Sequence, residues 1–279
     1  MISPHRIKYR GIESTELNML DLIMCVAFES DNGEMSTYLN REAIVSETHD
    51  GRYKRVHSYK YNESFSPKFT FMKKGFGDFT AEEVRRILKW LTSTDKTALL
   101  DVYYDDSNVV GWSVIGGWTE ISTYKIANNR TVGIVATFES ITPYAFSDLY
   151  TITKTINSAT NKIVIEIDTD EPNQPVYPRI AIQQRGAAGD VKITNQHYDI
   201  FNQPSTPVVT MVKNNTATET IIVDGANQII SSSSAGRPIF GDDFNWEWLP
   251  LYDGRNELTI EGNCDIEIAY REVRKVGEY

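Results

Sequence analysis

The chain has 279 residues, room for one large or two ordinary domains at roughly 100–200 residues each. Hydrophobic content of 41% and charged content of 24% exclude a largely disordered or collagen-like chain. The net charge of −10 is uneven: residues 1–147 carry 17 basic against 19 acidic side chains, a net of −2, and residues 148–279 carry 11 against 19, a net of −8. A surface of this sign opposes stable binding of DNA phosphates or an anionic membrane, while DNA passing an unsticky wall stays compatible with it.

Cys25 and Cys264 have no CxxC spacing, so neither a disulfide framework nor a zinc site is expected; two free thiols in a reducing compartment are. His5, Arg6, Lys8 and Arg10 are not followed by an apolar signal core, and the run Leu22–Phe28 is far shorter than the ~20 residues that span a bilayer. The expectation is a soluble chain made in the cytoplasm, with no membrane partner.

In chain order, short strands and turns fill residues 1–45, with Asp31-Asn32-Gly33 as a turn. Asp50-Gly51, between Ile44-Val45 and the run Tyr53 to Tyr61, predicts a hairpin over 43–61. Its basic tip and flank (Arg52, Lys54, Arg55, His57, Lys60) are either a solvated arm or a contact with a neighbouring copy. Phe65, Pro67, Phe69 and Phe71 alternate with Ser66, Lys68 and Thr70, the pattern of a half-buried strand.

Thr80-Ala-Glu-Glu83 is a capping box, with Phe79 and Val84 placed as its hydrophobic staple. Val84, Ile87, Leu88 and Leu91 share the expected buried face of a helix ending near Thr92, and Arg85, Arg86 and Lys89 lie opposite. Strands are predicted at Ala98–Tyr104, Val109–Ile115 and Trp118–Ile126, with Gly116-Gly117 as an interruption and Asn128-Asn129 as a turn. Gly133–Phe138 reads as the next strand. Pro143 ends the element by removing a ladder donor, and Tyr144 and Phe146 anchor the exit.

The texture changes after Asp148. Residues 149–162 read as a linker or an exposed strand. Short strands follow at Ile163–Ile167, Tyr177–Ile182, Val191–Thr194, Val208–Val212, Thr220–Val223 and Gln228–Ser231, and Asp265–Tyr270 alternates cleanly. Such spacing suggests a sandwich or jelly roll. Gly254 and Asn256 supply the positive φ and side-chain bonding of a tight turn.

Several short patterns resemble one family. Phe138-Glu-Ser, Pro143-Tyr-Ala, the capped helix followed by Leu99-Leu-Asp-Val-Tyr-Tyr-Asp-Asp, Tyr177-Pro-Arg-Ile, Val191-Lys-Ile-Thr-Asn, and Trp246-Glu-Trp-Leu leading to Gly254-Arg-Asn resemble the distal tail proteins of long-tailed, non-contractile bacteriophages. The resemblance implies a mainly β chain of two domains. Residues 1–147 would be a ring-forming β-sandwich or barrel with one packed helix, and 148–279 a galectin-like β-sandwich projecting outward. It implies that His49-Asp50-Gly51-Arg52 turns an arm, with Lys54 and Arg55, that embraces the next subunit. It places the domain junction at Phe138, Pro143 and Tyr144. The implied function is a hexameric ring at the tail tip, part of the virion and assembled in the host cytoplasm. The ring would join the tail tube protein and tape measure protein to tail-associated or receptor-binding proteins, with DNA only in transit. No cofactor and no reaction are implied.

Other chemistry is weaker. Asp101/Asp105/Asp106, Asp168/Asp170/Glu171 and Asp242/Asp243/Glu247 could be paired for glycoside hydrolysis, and Asp168-Thr-Asp-Glu171 has a fragment of calcium-loop spacing, but all fall in predicted turns, where Asp is favoured structurally. His5, His49, His57 and His197 form no metal spacing, and no phosphate-cradling glycine loop or nucleophile elbow is present. Trp246 and Trp248, two apart and therefore expected on one strand face, could stack on sugar rings or pack a core. The alternative function they support is a carbohydrate-binding adhesin module for the host surface.

Overall fold

The computed structural model describes residues 6–17, 22–24, 41–47, 54–61, 64–104, 108–157, 161–199, 201–234, 237 and 241–275. The chain forms two compact units, one from Met1–Asp148 with Arg274–Tyr279, the other from Leu149–Val273. Both are antiparallel β structures, and a single α-helix occurs among the described residues.

The first unit contains β1 (Arg6–Tyr9), β2 (Ile12–Glu13), β3 (Leu22–Met24), β4 (Arg41–Glu47), β5 (Lys54–Tyr61), β6 (Lys68–Lys73), α1 (Ala81–Thr92), β7 (Ala98–Tyr103), β8 (Trp112–Ile126), β9 (Arg130–Ser140) and β10 (Ala145–Phe146). Its main sheet runs β2-β1-β7-β8-β9-β6-β3, with β10 against β8. The sheet curls until its ends approach: the Leu22 amide at the start of β3 donates to the Ser14 carbonyl just after β2 at 3.2 Å. The interior is aromatic. Trp118 lies edge-on to Phe138 at 5.1 Å, and Tyr9 reaches Phe138, Trp118 and Trp90 at 5.9–6.2 Å. This is a barrel-like core closed by a helix.

That helix starts as its sequence dictates. The Thr80 hydroxyl accepts from the Glu83 amide at 3.3 Å, and the Glu83 carboxylate accepts from the Thr80 amide at 2.7 Å. Ile87, Trp90 and Leu91 are its buried residues. Leu88, expected inside, is 36% exposed. At 100° per residue it lies at the edge of the arc centred on Ile87, while Trp90, absent from the expected face, falls within that arc. The predicted break at Gly116-Gly117 is also absent: β8 runs through it, pairing Ala98 with Gly116 and Gly116 with Ser140. The missing side chain allows close approach there, since a Cβ on Gly116 would lie 1.9 Å from the Glu139 carbonyl oxygen. The irregularity comes after the glycines, as a bulge between Trp118 and Glu120.

The second unit holds β11 (Tyr150–Ile156), β12 (Lys162–Ile167), β13 (Arg179–Gln184), β14 (Gly189–Tyr198), β15 (Val208–Asn215), β16 (Thr220–Asp224), β17 (Ile229–Ser232), β18 (Gly254–Glu261) and β19 (Cys264–Tyr270); β20 is Val273–Arg274. Residues 150–156 are thus a strand rather than a linker. One sheet runs β11-β19-β13-β16-β17 and the other β12-β18-β14-β15. Ile163, Ile165 and Ile167 of β12 and Ile266 and Ile268 of β19 join one core with Ile180, Ile182 and Ile221. Alternation along β12, β13 and β19 turns these side chains inward and leaves residues such as Lys162, Glu166 and Arg179 outside. The result is a two-layer sandwich of the galectin-like kind. The turn into β18 is built as its chemistry predicts: Gly254 has φ +89°, and fully buried Asn256 accepts from the Tyr252 amide at 3.0 Å and donates to the Tyr252 carbonyl at 2.7 Å.

Candidate functional site

The β4–β5 hairpin is distinctive within the first unit. Its strands pair with each other and with no other strand among the described residues. The register sets Ala43 against Tyr59 and Val45 against Val56, with a bulge between Ile44 and Val45. Its side-chain contacts include an exposed Lys60–Glu42 ion pair at 3.1 Å and a Ser46–His57 contact at 2.7 Å. Ile44, Val45, Val56 and Tyr59 are 41–55% exposed. A two-stranded hairpin is marginal in water, so β-branched residues left in solvent on such an element mark a surface that gains from a partner.

Of the residues predicted for this arm, Arg55 is exposed and Lys54 opens β5; Asp50, Gly51 and Arg52 lie outside the described residues. So do His5, His49, Cys25, Asp105 and Asp106.

The hairpin base meets the predicted junction. The Tyr61 ring packs edge-on against Tyr144 at 6.2 Å, and Tyr144 against Phe146 at 5.6 Å. The turn that carries Tyr144 is tied by Thr142, whose hydroxyl donates to the Tyr144 carbonyl at 2.7 Å and whose amide donates to the Ser140 hydroxyl at 3.0 Å. Pro143 is half-buried in this turn, whereas Phe138 is fully buried in the first unit's core.

Trp246 and Trp248 do not share a strand face: residues 245–250 are not in a strand. Both rings flank Phe244, at 5.5 and 5.0 Å, but only Trp248 packs onto the core. Trp246 is 55% exposed at φ +58°, a strained conformation for an aromatic residue, and its indole N–H donates to the Gly241 carbonyl at 3.1 Å. The reversal of φ turns its side chain away from the alternation that the sequence suggested.

Two of the candidate carboxylates have structural partners. Asp101 accepts from Ser113 at 2.6 Å, and Asp243 accepts from Asn214 at 2.6 Å and Arg237 at 3.0 Å. The Asp243 contacts belong to a buried clamp. Arg237 reaches the fully buried Glu219 carboxylate at 3.2 Å, and Glu219 also accepts from the Thr216 amide at 2.7 Å and from the Ser232 hydroxyl. Burial pushes the Glu219 carboxyl up, but the Ser232 and Thr216 hydrogen bonds and the Arg237 charge outweigh it and hold the group below the usual carboxylate range. No group of three or more His, Cys, Asp or Glu placed to hold a metal ion occurs among the described residues.

Comparison with known proteins gives these surfaces a context. Residues 5–141 match the family described as phage tail protein N-terminal domain, and residues 144–270 match the phage tail C-terminal domain. Among solved structures, the chain is similar to the Dit protein of phage SPP1, described as a paradigm of the hub adsorption apparatus in phages infecting Gram-positive bacteria. That likeness has 13% identity and a TM-score of 0.59, and covers 98% of this chain and 100% of that one. It is also similar to a chain of the phage P2 baseplate in its activated conformation with Ca, at 10% identity and a TM-score of 0.51, covering 99% of each. In sequence it is 25% identical over 193 residues to the SPbeta prophage-derived uncharacterized protein YomH of Bacillus subtilis (strain 168), covering 68% of this chain and 69% of that protein. Fold and sequence together define a structural component of the phage tail and hence of the virion. The chain belongs to the phage tail protein family that these two domain models describe.

Proposed function

We propose that this chain forms a hexameric ring at the distal end of the tail, through contacts of the first unit and its β4–β5 arm with the next copy. The observation that carries the reading is a hairpin whose strands pair with no other strand among the described residues and whose Ile44, Val45 and Val56 are exposed. An arm on one copy received by a different surface on the next is a heterologous contact, which closes a ring when the rotation allows. The ring joins the tail tube and tape measure proteins to tail-associated or receptor-binding proteins. It is assembled in the host cytoplasm and leaves a channel for DNA, and a net charge of −2 over residues 1–147, with no basic excess, suits a wall that DNA must pass without sticking. The role is structural and involves no reaction. Residues 1–147 supply the ring and 148–279 the second domain. The test is the mass and negative-stain image of the purified chain beside Val45→Asp with Val56→Asp. A ring that the double variant loses, with an unchanged circular dichroism spectrum, supports the reading; a chain that stays monomeric over a wide dilution range, alone and with tail-tube protein, refutes it.

One observation favours a second reading, a carbohydrate-binding adhesin: the exposed, conformationally strained ring of Trp246. Cell-wall pull-down that is lost in Trp246→Ala would support it, and equal retention of both proteins would remove it.

A further inference from the structure

The flank of α1 on the far side of Trp90 is strongly polar. Glu82, Arg85, Arg86, Lys89 and Ser93 succeed one another at helical spacing, and the turn between β1 and β2 rises beside them. Between turn and helix lies a groove of about 500 Å³, with Ile12, Leu17 and Trp90 as its apolar part. Leu17 and Trp90 are buried beneath it, and Ile12 is 44% exposed at its wall. The turn places a cation there at some cost. Arg10 sits at φ +53° and Gly11 at φ +78°; the arginine takes a position where glycine or asparagine is usual, and its guanidinium donates to the Ser93 hydroxyl at the helix end. The groove is therefore fixed on both sides.

Its charge is against the grain of the molecule. Arg10, Arg85, Arg86 and Lys89 line it, and Glu82 is the one carboxylate among the lining residues. Both Glu82 oxygens are occupied: Arg85 holds them at 2.8 Å each and Arg86 approaches one at 3.3 Å. The hydrogen bond from Arg85 above all, joined by Arg86, holds the Glu82 carboxyl at about 2, so it stays ionised and committed at neutral pH. No carboxylate pairs with Arg10 or Lys89 among the described residues. A patch of net positive charge thus rims an apolar slot on a chain whose net charge is −10.

We infer that this groove docks an acidic, amphipathic peptide segment of a second protein, its carboxylates on Arg86, Lys89 and Arg10 and an apolar side chain against Ile12 and Trp90. Charge complementarity selects the acid, and the apolar slot selects a peptide over a bare polyanion. A long nucleic acid would extend beyond the patch over a chain of net charge −10, whereas screening over ~8 Å at physiological salt confines a short peptide to the local field. The inference is independent of the ring.

The experiment is fluorescence anisotropy of the full chain with a labelled synthetic peptide of alternating Glu and Leu. Parallel arms use the same peptide with Ser for Leu, and a short single-stranded DNA. The expected result is saturable binding of the Glu–Leu peptide, weaker binding of the other two, and a loss of about tenfold or more in Arg86→Glu with Lys89→Glu. Lys68→Glu with Lys162→Glu makes the same charge change on exposed strand positions and should leave binding intact. Absence of saturable binding, DNA or the Ser peptide binding equally well, or an equal loss in the control variant would each overturn the inference. Concentration-dependent self-association abolished by Arg86→Glu with Lys89→Glu would replace the peptide partner with a second copy of the chain.

Discussion

The Glu219–Arg237–Asp243 clamp makes a quantitative prediction for Glu219→Ala. The Glu219 side chain is fully buried and that of Arg237 10% exposed. Removing the carboxylate takes one anionic partner from Arg237, which keeps Asp243 and the Lys213 and Asn214 carbonyls, and strips the acceptor from the Thr216 amide and the Ser232 hydroxyl. Breaking a buried pair by deleting one partner costs about 3–5 kcal/mol. Asp243, at 3.0 Å from the guanidinium and 30% exposed, keeps part of the charge compensated, which favours the lower end. For a unit of this size roughly 3–5 °C is lost per kcal/mol, so the calorimetric transition of the second unit should fall by about 10–15 °C. Glu219→Gln should cost less, since it keeps an acceptor for Thr216. The sign with pH follows from the depressed folded pKa of Glu219. Its stabilisation is fully present above the unfolded value, roughly 4.3, and is lost as pH falls through the lower folded value, so the gap between wild type and Glu219→Gln should close in acid. A Glu219→Ala transition within about 3 °C of wild type at neutral pH would refute the clamp as a stabilising unit. The cycle Glu219→Leu with Arg237→Met separates this from a simple cavity: the double variant should recover much of the loss, because no buried charge remains unpaired.

Thr80→Ala removes the helix cap of the first unit and should cost about 1 kcal/mol, read as a lower melting midpoint that Thr80→Ser restores. Gly116→Ala must push a new Cβ away from the Glu139 carbonyl 1.9 Å from its ideal position and should cost about 1–3 kcal/mol or more, whereas Gly117→Ala meets nothing within 4 Å and should be near neutral; urea titrations of the pair provide the comparison. Cys264 is fully buried, and burial first, then neighbouring Asp265, pushes its thiol up to about 11. Iodoacetamide at pH 8, followed by peptide mapping, should therefore leave Cys264 unlabelled until urea unfolds the chain.

Much of the fold is legible where a local rule and the packing agree. The Thr80–Glu83 box is followed by Val84, Ile87 and Leu91 at helical spacing, so cap and periodicity point to the same element. The alternation of Cys264–Tyr270 needs only its period of two to place Ile266, Ile268 and Tyr270 inward. Reading fails where a residue's effect depends on a distant strand. Gly116-Gly117 looks like a break, but its role is set by the carbonyl of Glu139, which sequence proximity does not supply. Trp246 and Trp248 look like neighbours on a strand, and one positive φ removes that relation. Phe138 looks like a junction residue, yet its ring belongs to the first unit's core.

The clearest case is a motif that occurs twice. Thr216-Ala-Thr-Glu219 has the same spacing as Thr80-Ala-Glu-Glu83, and in both the glutamate accepts from the threonine amide, each at 2.7 Å. One opens a helix and the other closes a turn before a strand. The difference lies in the residues just C-terminal to each glutamate: Val-Arg-Arg-Ile-Leu offers a helical stripe, while Thr-Ile-Ile-Val offers β-branched residues on alternate faces, which β13 and β17 then bracket. Only the carboxylate-to-amide bond is common to both: at Thr216 the Glu219 amide donates to the Thr216 carbonyl rather than to its hydroxyl. At Thr80 the carboxylate faces solvent and Lys73, at 2.8 Å; at Thr216 it is buried and recruits Arg237 from a loop eighteen residues on. A local motif thus specifies one hydrogen bond, and the tertiary environment decides whether that bond becomes part of a helix cap or the centre of a buried ionic clamp.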